Sequence, residues 1–217
     1  HTNEDGVSDQ DDILLTGFGY EKDTHGLTSN FRRGYDGHIY ADHGFNNDST
    51  VVGRDGSKIT MNSGNCYRFQ PDGTRVEQYS FGQVNPFGLM FDPLGDLWSS
   101  DCHSSPTYVL LRGAYYPSFG KPNDGLGFAP DICKHTHGST AIAGMVFYDD
   151  DQFPPAYRWN TFIGNVMTCS INRDSYIEHG STRIAKEEPD LLTSDDPWFR
   201  PVMLELGPDG AIYVPAF

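Results

Sequence analysis

The chain has 217 residues, with 15 Lys or Arg against 30 Asp or Glu, for a formal charge of −15. That balance argues against a nucleic-acid partner, which requires a basic face, and no stretch approaches the ~20 apolar residues of a membrane helix. Hydrophobic residues make up 37% and aromatics 13%, enough for a packed core, while 24 Gly and 14 Pro point away from a helical bundle and towards short strands joined by turns.

The first predicted element is an acidic loop over 1–12. Asn3, Asp5, Asp9 and Asp12 fall at positions three, five, nine and twelve of an EF-hand-like calcium loop, with Gly6 at the sharp turn and Val7 offering a carbonyl. Hard oxygen ligands on a tight loop suit Ca²⁺. Position one is His1, a poor calcium ligand, and the plain alternative is an acidic surface turn.

Next comes a repeated unit: an alternating strand, a turn built on Asp-Gly or its equivalent, and a second strand. It appears as Phe31-Arg-Arg-Gly-Tyr-Asp-Gly-His-Ile-Tyr40, as Tyr67-Arg-Phe-Gln-Pro-Asp-Gly-Thr-Arg-Val76, and across 88–98 and 202–213. Period-two alternation sends one set of side chains inward and the other outward, and Gly supplies the positive φ of the turn. A further copy, Ala143-Gly-Met-Val-Phe-Tyr148 and Asn160-Thr-Phe-Ile-Gly164, has a longer connection rich in Asp and Pro. Paired hairpins make a four-stranded blade of roughly 40–50 residues. The expected fold is therefore all-β, a single partial β-propeller domain over 1–217. Blades are expected at 25–80, 83–120 and 140–193, with a further one starting at 198–217. Such a chain supplies about three and a half to four blades of a propeller whose remainder lies beyond its ends. Residues 118–131, rich in Gly and Pro, read as a long loop over one face.

Polar residues gather where the loops of successive blades converge. His25 lies in Asp23-Thr-His-Gly26, His43 follows Asp42, His103 closes Ser99-Ser-Asp-Cys-His103, and His135 and His137 lie in His135-Thr-His-Gly-Ser-Thr140. Histidines at equivalent blade ends suggest a polar site for substrate, cofactor or metal, with His43, His103, His135 and His137 as candidate metal ligands. The four cysteines, Cys66, Cys102, Cys133 and Cys169, form no C-x-x-C pair, so zinc-finger and haem-attachment motifs are absent from this chain. Two disulfides and four thiols both remain open.

Two segments carry a resemblance: Gln83-Val-Asn-Pro-Phe-Gly-Leu-Met-Phe-Asp-Pro-Leu-Gly-Asp-Leu-Trp98 with Leu110-Leu-Arg-Gly-Ala-Tyr-Tyr-Pro117, and 143–164. They resemble the glucose/sorbosone dehydrogenases, in particular the propeller modules of planctomycete-type membrane-bound dehydrogenases. The resemblance implies a six-bladed propeller, probed at one face by a sugar or alcohol, with pyrroloquinoline quinone and Ca²⁺ as cofactors. It also implies a c-type cytochrome partner or domain and a periplasmic or extracellular setting. His25 takes the place of the general base on the sugar hydroxyl, a role that a neutral imidazole suits. Asn85, Arg200 and Asp101 take the places of cofactor-side residues. Two departures stand out: Val84 replaces the family's Arg before Asn85-Pro86, and 101–105 differs from the family's calcium-side loop.

The reading that follows is a sugar or alcohol dehydrogenase-like propeller passing hydride from a hydroxyl carbon to a quinone. The alternatives are a non-catalytic propeller binding carbohydrate or protein, and a metal-dependent enzyme using the histidine cluster.

Overall fold

The turns are where the sequence acts most locally. The computed structural model describes residues 4–24 and 26–216. In it Gly37, Gly73, Gly95 and Gly210 all adopt positive φ, between 76° and 91°, the conformation that each Asp-Gly or Leu-Gly turn was expected to need. Each reverses the chain between antiparallel strands.

The strands run in chain order as β1 (Leu15–Thr16), β2 (Ser29–Arg33), β3 (Ile39–His43), β4 (Asp48–Gly53), β5 (Lys58–Asn62), β6 (Asn65–Phe69), β7 (Glu77–Phe81), β8 (Asn85–Phe91), β9 (Leu97–Cys102), β10 (Tyr108–Leu110), β11 (Ile142–Tyr148), β12 (Asn160–Asn165), β13 (Ser170–His179), β14 (Thr182–Thr193), β15 (Glu205–Leu206) and β16 (Ile212–Tyr213). A single 3₁₀ turn at Pro155–Tyr157 is the only helical element among the described residues.

These strands form β2-β3-β6-β7, β8-β9-β10, β11-β12-β13-β14 and β15-β16, each antiparallel and in chain order. The first strands lie side by side: β8 packs between β2 and β11, and β11 against β15. They are the inner strands of successive blades, and the fold is a β-propeller. One addition interrupts the first blade. Between β3 and β6 the chain makes the hairpin β4-β5, which pairs with β1 as a separate sheet.

The core is divided as blade stacking requires. Tyr40, Cys66, Leu89, Leu97 and Tyr116 fill the space between the first and second blades. Met90, Trp98, Met145, Phe147 and Ile163 fill that between the second and third. Val146, Tyr148, Phe162 and Leu204 join the third to the fourth, while Val51, Met61, Tyr67 and Phe69 seat the added sheet. Gly88 shows how close the inner strands come. A Cβ there would overlap Ser100 Oγ and stand 2.9 Å from the Met145 backbone nitrogen, so β8 and β11 touch backbone to backbone.

From Leu111 to Ala141 the chain forms no strand, in keeping with the expected long loop. All four cysteines are free thiols.

Candidate functional site

At the end of the inner strands opposite the Asp-Gly turns, loops from the first two blades are tied to each other. Gly44 N–H donates to Gly26 O at 3.1 Å, and Phe45 N–H donates to Asn85 Oδ1 at 3.1 Å. A side chain at position 44 would stand 2.6 Å from that same Asn85 oxygen, so glycine is what lets the loops close.

Two carboxyl groups lie fully buried beneath them. Asp101 accepts the N–H groups of Val84 (2.7 Å) and Asn85 (2.6 Å) and the hydroxyl of Ser104. Burial nevertheless pushes its carboxyl up to about 7. Asp42 takes a 3.3 Å hydrogen bond from Asn30 Nδ2 through Oδ2, while Oδ1 is buried without a partner. Burial, with the Asp101 charge as a smaller contribution, holds Asp42 well above the carboxylate range. Both effects favour the protonated form of Asp42, burial first and the neighbouring acid second. Asn30 reaches it from a left-handed backbone, φ 58°, beside an irregularity in β2.

Above these acids is an aromatic rim. The Phe45 ring lies 5.9 Å from Phe119 and 6.2 Å from His103, measured between centroids. Phe119 is 68% exposed and His103 is also open to solvent, so the rim presents ring surface outward.

The histidines expected at one site are in fact divided among several places. His43 is buried and used internally: Nδ1 donates to Ser63 O at 2.8 Å, which leaves Nε2 to accept from Ser49 Oγ at 2.7 Å. Burial lowers its pKa and keeps it neutral. His103 joins the aromatic rim. His135 and His137 come together elsewhere, with ring centroids 4.6 Å apart. His25 and Asn3 lie outside the described residues. Among the described calcium-loop residues, Asp5 accepts Val7 N–H at 2.8 Å and Asp12 accepts Gln10 Nε2 at 3.1 Å. Asp12 also lies 3.7 Å from Arg54, and Asp9 is exposed.

The resemblance assigned Asn85, Asp101 and Arg200 to the cofactor side. The structure joins Asn85 to Asp101 and places Arg200 over the third blade, with Nη1 donating to Val166 O at 3.1 Å. Val84 is buried, 3% exposed. These residues do not fit a tricarboxylate quinone. The Asn85 amide oxygen and the Asp101 carboxyl are spent on backbone groups, and position 84 offers no cation.

A second polar group was only half legible beforehand. Cys133, His135 and Asp174 offer ligand atoms within 4.8 Å of one another, the only such trio of His, Cys, Asp or Glu among the described residues. Asp174 sits fully buried on β13, where His135 Nε2 hydrogen-bonds its Oδ1 at 2.7 Å. That hydrogen bond raises the pKa of His135. For Asp174, burial pulls upward, but the two histidines outweigh it and lower its pKa. Cys133-x-His-x-His137 is visible in the sequence as alternate residues of one run; Asp174 carries no local signal of its role.

Antiparallel blades around packed inner strands define a β-propeller. Residues 1–216 match the family model described as Domain of unknown function (DUF7133), and the chain belongs to that family. No curated protein matches it. Among solved structures it is similar to a glucose dehydrogenase (TM-score 0.58, 18% identity, 88% of this chain and 78% of that one). It is also similar to a second glucose dehydrogenase (TM-score 0.54, 17%, 88% and 80%). A third is the soluble aldose sugar dehydrogenase of Escherichia coli in its apo form (TM-score 0.52, 17%, 88% and 80%). At such identities the likeness is one of fold.

Proposed function

We propose that this chain is a carbohydrate-directed propeller of the sugar-dehydrogenase type, taking an aldose or polyol at the loop end framed by Phe45, His103 and Phe119. The observation that carries the reading is this solvent-facing aromatic rim, 5.9 Å and 6.2 Å between rings, set on the loop end of a fold similar to three sugar dehydrogenases. Ring faces meet the C–H surfaces of sugars, and the polar groups around them orient hydroxyls. His25 immediately precedes Gly26, which is bonded to this rim through Gly44, and in the proposal it takes the proton from the sugar hydroxyl. The resemblance implies a quinone as hydride acceptor, but Val84, Asn85 and Asp101 do not fit one, so the acceptor is supplied in the test as added pyrroloquinoline quinone or dye.

A second reading, a propeller that binds sugar without oxidising it, is favoured by one observation. Val84 and the internally spent Asn85 and Asp101 leave the expected acceptor side without a free recognition group.

The test is calorimetric titration with aldoses and polyols, run beside dye reduction with and without added pyrroloquinoline quinone. Sugar binding with quinone-dependent reduction that His25→Ala abolishes supports the first reading. Sugar binding with no reduction supports the second. No sugar binding and no reduction would sink both.

A further inference from the structure

We infer that Cys133, His135, His137 and Asp174 form a structural zinc site that fastens the long loop between the second and third blades to the outer strands of the third. The site is separate from the proposed sugar end. Its anchoring residue belongs to β13, two strands out from inner strand β11.

The geometry fits the ion. Zinc bonds of about 2.0–2.1 Å to nitrogen and oxygen and about 2.3 Å to sulfur put tetrahedral ligand edges at about 3.3 Å for N···O and about 3.6 Å for S···N. Cys133 Sγ lies 3.5 Å from His135 Nε2 and 3.7 Å from its Nδ1, so the imidazole turns slightly to share a metal with the sulfur, and His137 Nε2 lies 3.1 Å from Asp174 Oδ1. A third edge, His135 Nε2 to Asp174 Oδ1, is 2.7 Å and closed by a hydrogen bond; it opens by about half an ångström when the proton gives way to the metal, and His137, outside the trio whose ligand atoms lie within 4.8 Å of one another, moves in to complete the four.

An unmet need points to the same ligand. His137 is buried, and neither ring nitrogen has a hydrogen-bond partner, although Nε2 faces Asp174. A buried polar atom so placed calls for an explanation, and a metal supplies one. The other nitrogen, Nδ1, lies 3.3 Å from Glu187 Oε1, the carboxylate–histidine arrangement that orients metal-bound imidazoles. Charge closes as well: one thiolate and one carboxylate neutralise a divalent ion, and two neutral imidazoles complete the set. That balance is what a site with Cys133 and Asp174 fully enclosed requires. A thiolate with two imidazoles and one carboxylate suits zinc rather than the oxygen-seeking Ca²⁺.

Four protein ligands leave no open position, which marks the site as structural. Three of them come from the segment between Leu110 and Ile142, which has no strand of its own. Its nearby ties include Ala185 N–H to Ile132 O at 2.7 Å, Ser105 Oγ to Cys133 O at 3.0 Å, Asn165 Nδ2 to His137 O at 3.3 Å and His103 N–H to Thr140 O at 3.0 Å.

The test uses the full chain, purified and dialysed free of loose metal. Mass spectrometry for metals is expected to find about one zinc per chain. Cobalt substituted for zinc is expected to give a thiolate charge-transfer band and intense tetrahedral bands. Cys133→Ser removes the charge-transfer band, and Asp174→Asn weakens metal binding at least about tenfold, whereas His179→Ala changes neither. Trypsin cleaves the 111–141 loop faster once chelator removes the metal. A wild-type chain without stoichiometric metal, or a cobalt charge-transfer band that survives Cys133→Ser, overturns the site. Equal cleavage with and without chelator overturns its fastening role.

Discussion

Arg32 and Glu205, 173 positions apart in the chain, meet as a two-pronged ion pair: Arg32 Nη1 donates to Glu205 Oε2 at 2.9 Å and Nη2 donates to Oε1. The pair joins the inner strand of the first blade to that of the fourth. The same guanidinium donates from Nε to Leu89 O on β8 at 2.8 Å, so one side chain ties three inner strands together near their Asp-Gly turns. Forked geometry of this kind is what arginine provides and lysine does not.

The two side chains are 25% and 47% exposed, which limits what the pair contributes. Arg32→Ala is expected to cost about 1–2 kcal/mol and Glu205→Gln about 0.5–1 kcal/mol, with a coupling of about 0.5–1 kcal/mol in the double-mutant cycle. Urea unfolding of the four proteins measures it, and the coupling is expected to shrink in high salt.

Asp101 predicts a pH dependence. Its folded pKa of about 7 lies above the value of an unfolded carboxyl, so the folded state holds the extra proton between the two. The stability this gives is fully present below about pH 4 and is lost as pH rises through about 7. Asp42 acts with the same sign. Asp101→Asn loses one of the two backbone acceptors and is expected to cost about 1–3 kcal/mol at pH 5. The deficit against wild type narrows by pH 8, when the native carboxyl must ionise in a dry place. Unfolding midpoints of both proteins from pH 5 to 8.5 test it; a constant gap contradicts the shifted pKa.

Asp92 organises the β8–β9 hairpin. Its fully buried carboxylate accepts Leu94 N–H and Asp96 N–H, both at 2.9 Å, and Trp98 Nε1–H at 3.1 Å, and it pairs with Arg183 at 3.1 Å. Arg183 also lies over the Trp98 ring, 5.2 Å from its centroid. Asp92→Ala strands several donors and a cation, and is expected to cost about 3–5 kcal/mol. Denaturant unfolding followed by tryptophan fluorescence reads both the loss of stability and the changed surroundings of Trp98.

Gly88→Ala pushes a methyl group into Ser100 and the Met145 backbone. The expected cost is about 1–3 kcal/mol, because β8 and β11 must separate. Replacing Ser100 by Ala in the same chain recovers only part of it, since the backbone of Met145 remains in the way; thermal unfolding of single and double variants decides this.

The aromatic rim has its own test. Phe119→Ala removes a ring that is mostly solvent-facing, so stability is expected to change by less than about 0.5 kcal/mol. Sugar affinity is expected to fall several-fold in calorimetric titration. Unchanged affinity removes Phe119 from the proposed site.

The hairpins were readable because their causes are local: alternation over a few residues, and a glycine where φ must be positive. The added β4–β5 hairpin carries the same signal, Asp55-Gly56 with φ 80° at the glycine, yet in sequence it reads as part of a blade over 25–80, since nothing local says which sheet a hairpin joins. His43 shows the limit for sites. As a residue beside Asp42 at a blade end it reads as a candidate ligand, and only the approach of Ser49 and Ser63 shows both nitrogens in internal use.

By itself, then, the amino-acid sequence determined the strand-turn-strand units, the all-β class and the acidic surface, because each depends on neighbours a few positions apart. Tertiary structure alone decided that the Asp42 carboxyl is pushed above its ordinary range, that Arg32 finds Glu205, and that Asp174 meets Cys133, His135 and His137. Those outcomes depend on burial and on groups brought together from different blades, and both exist only once the sheets have packed.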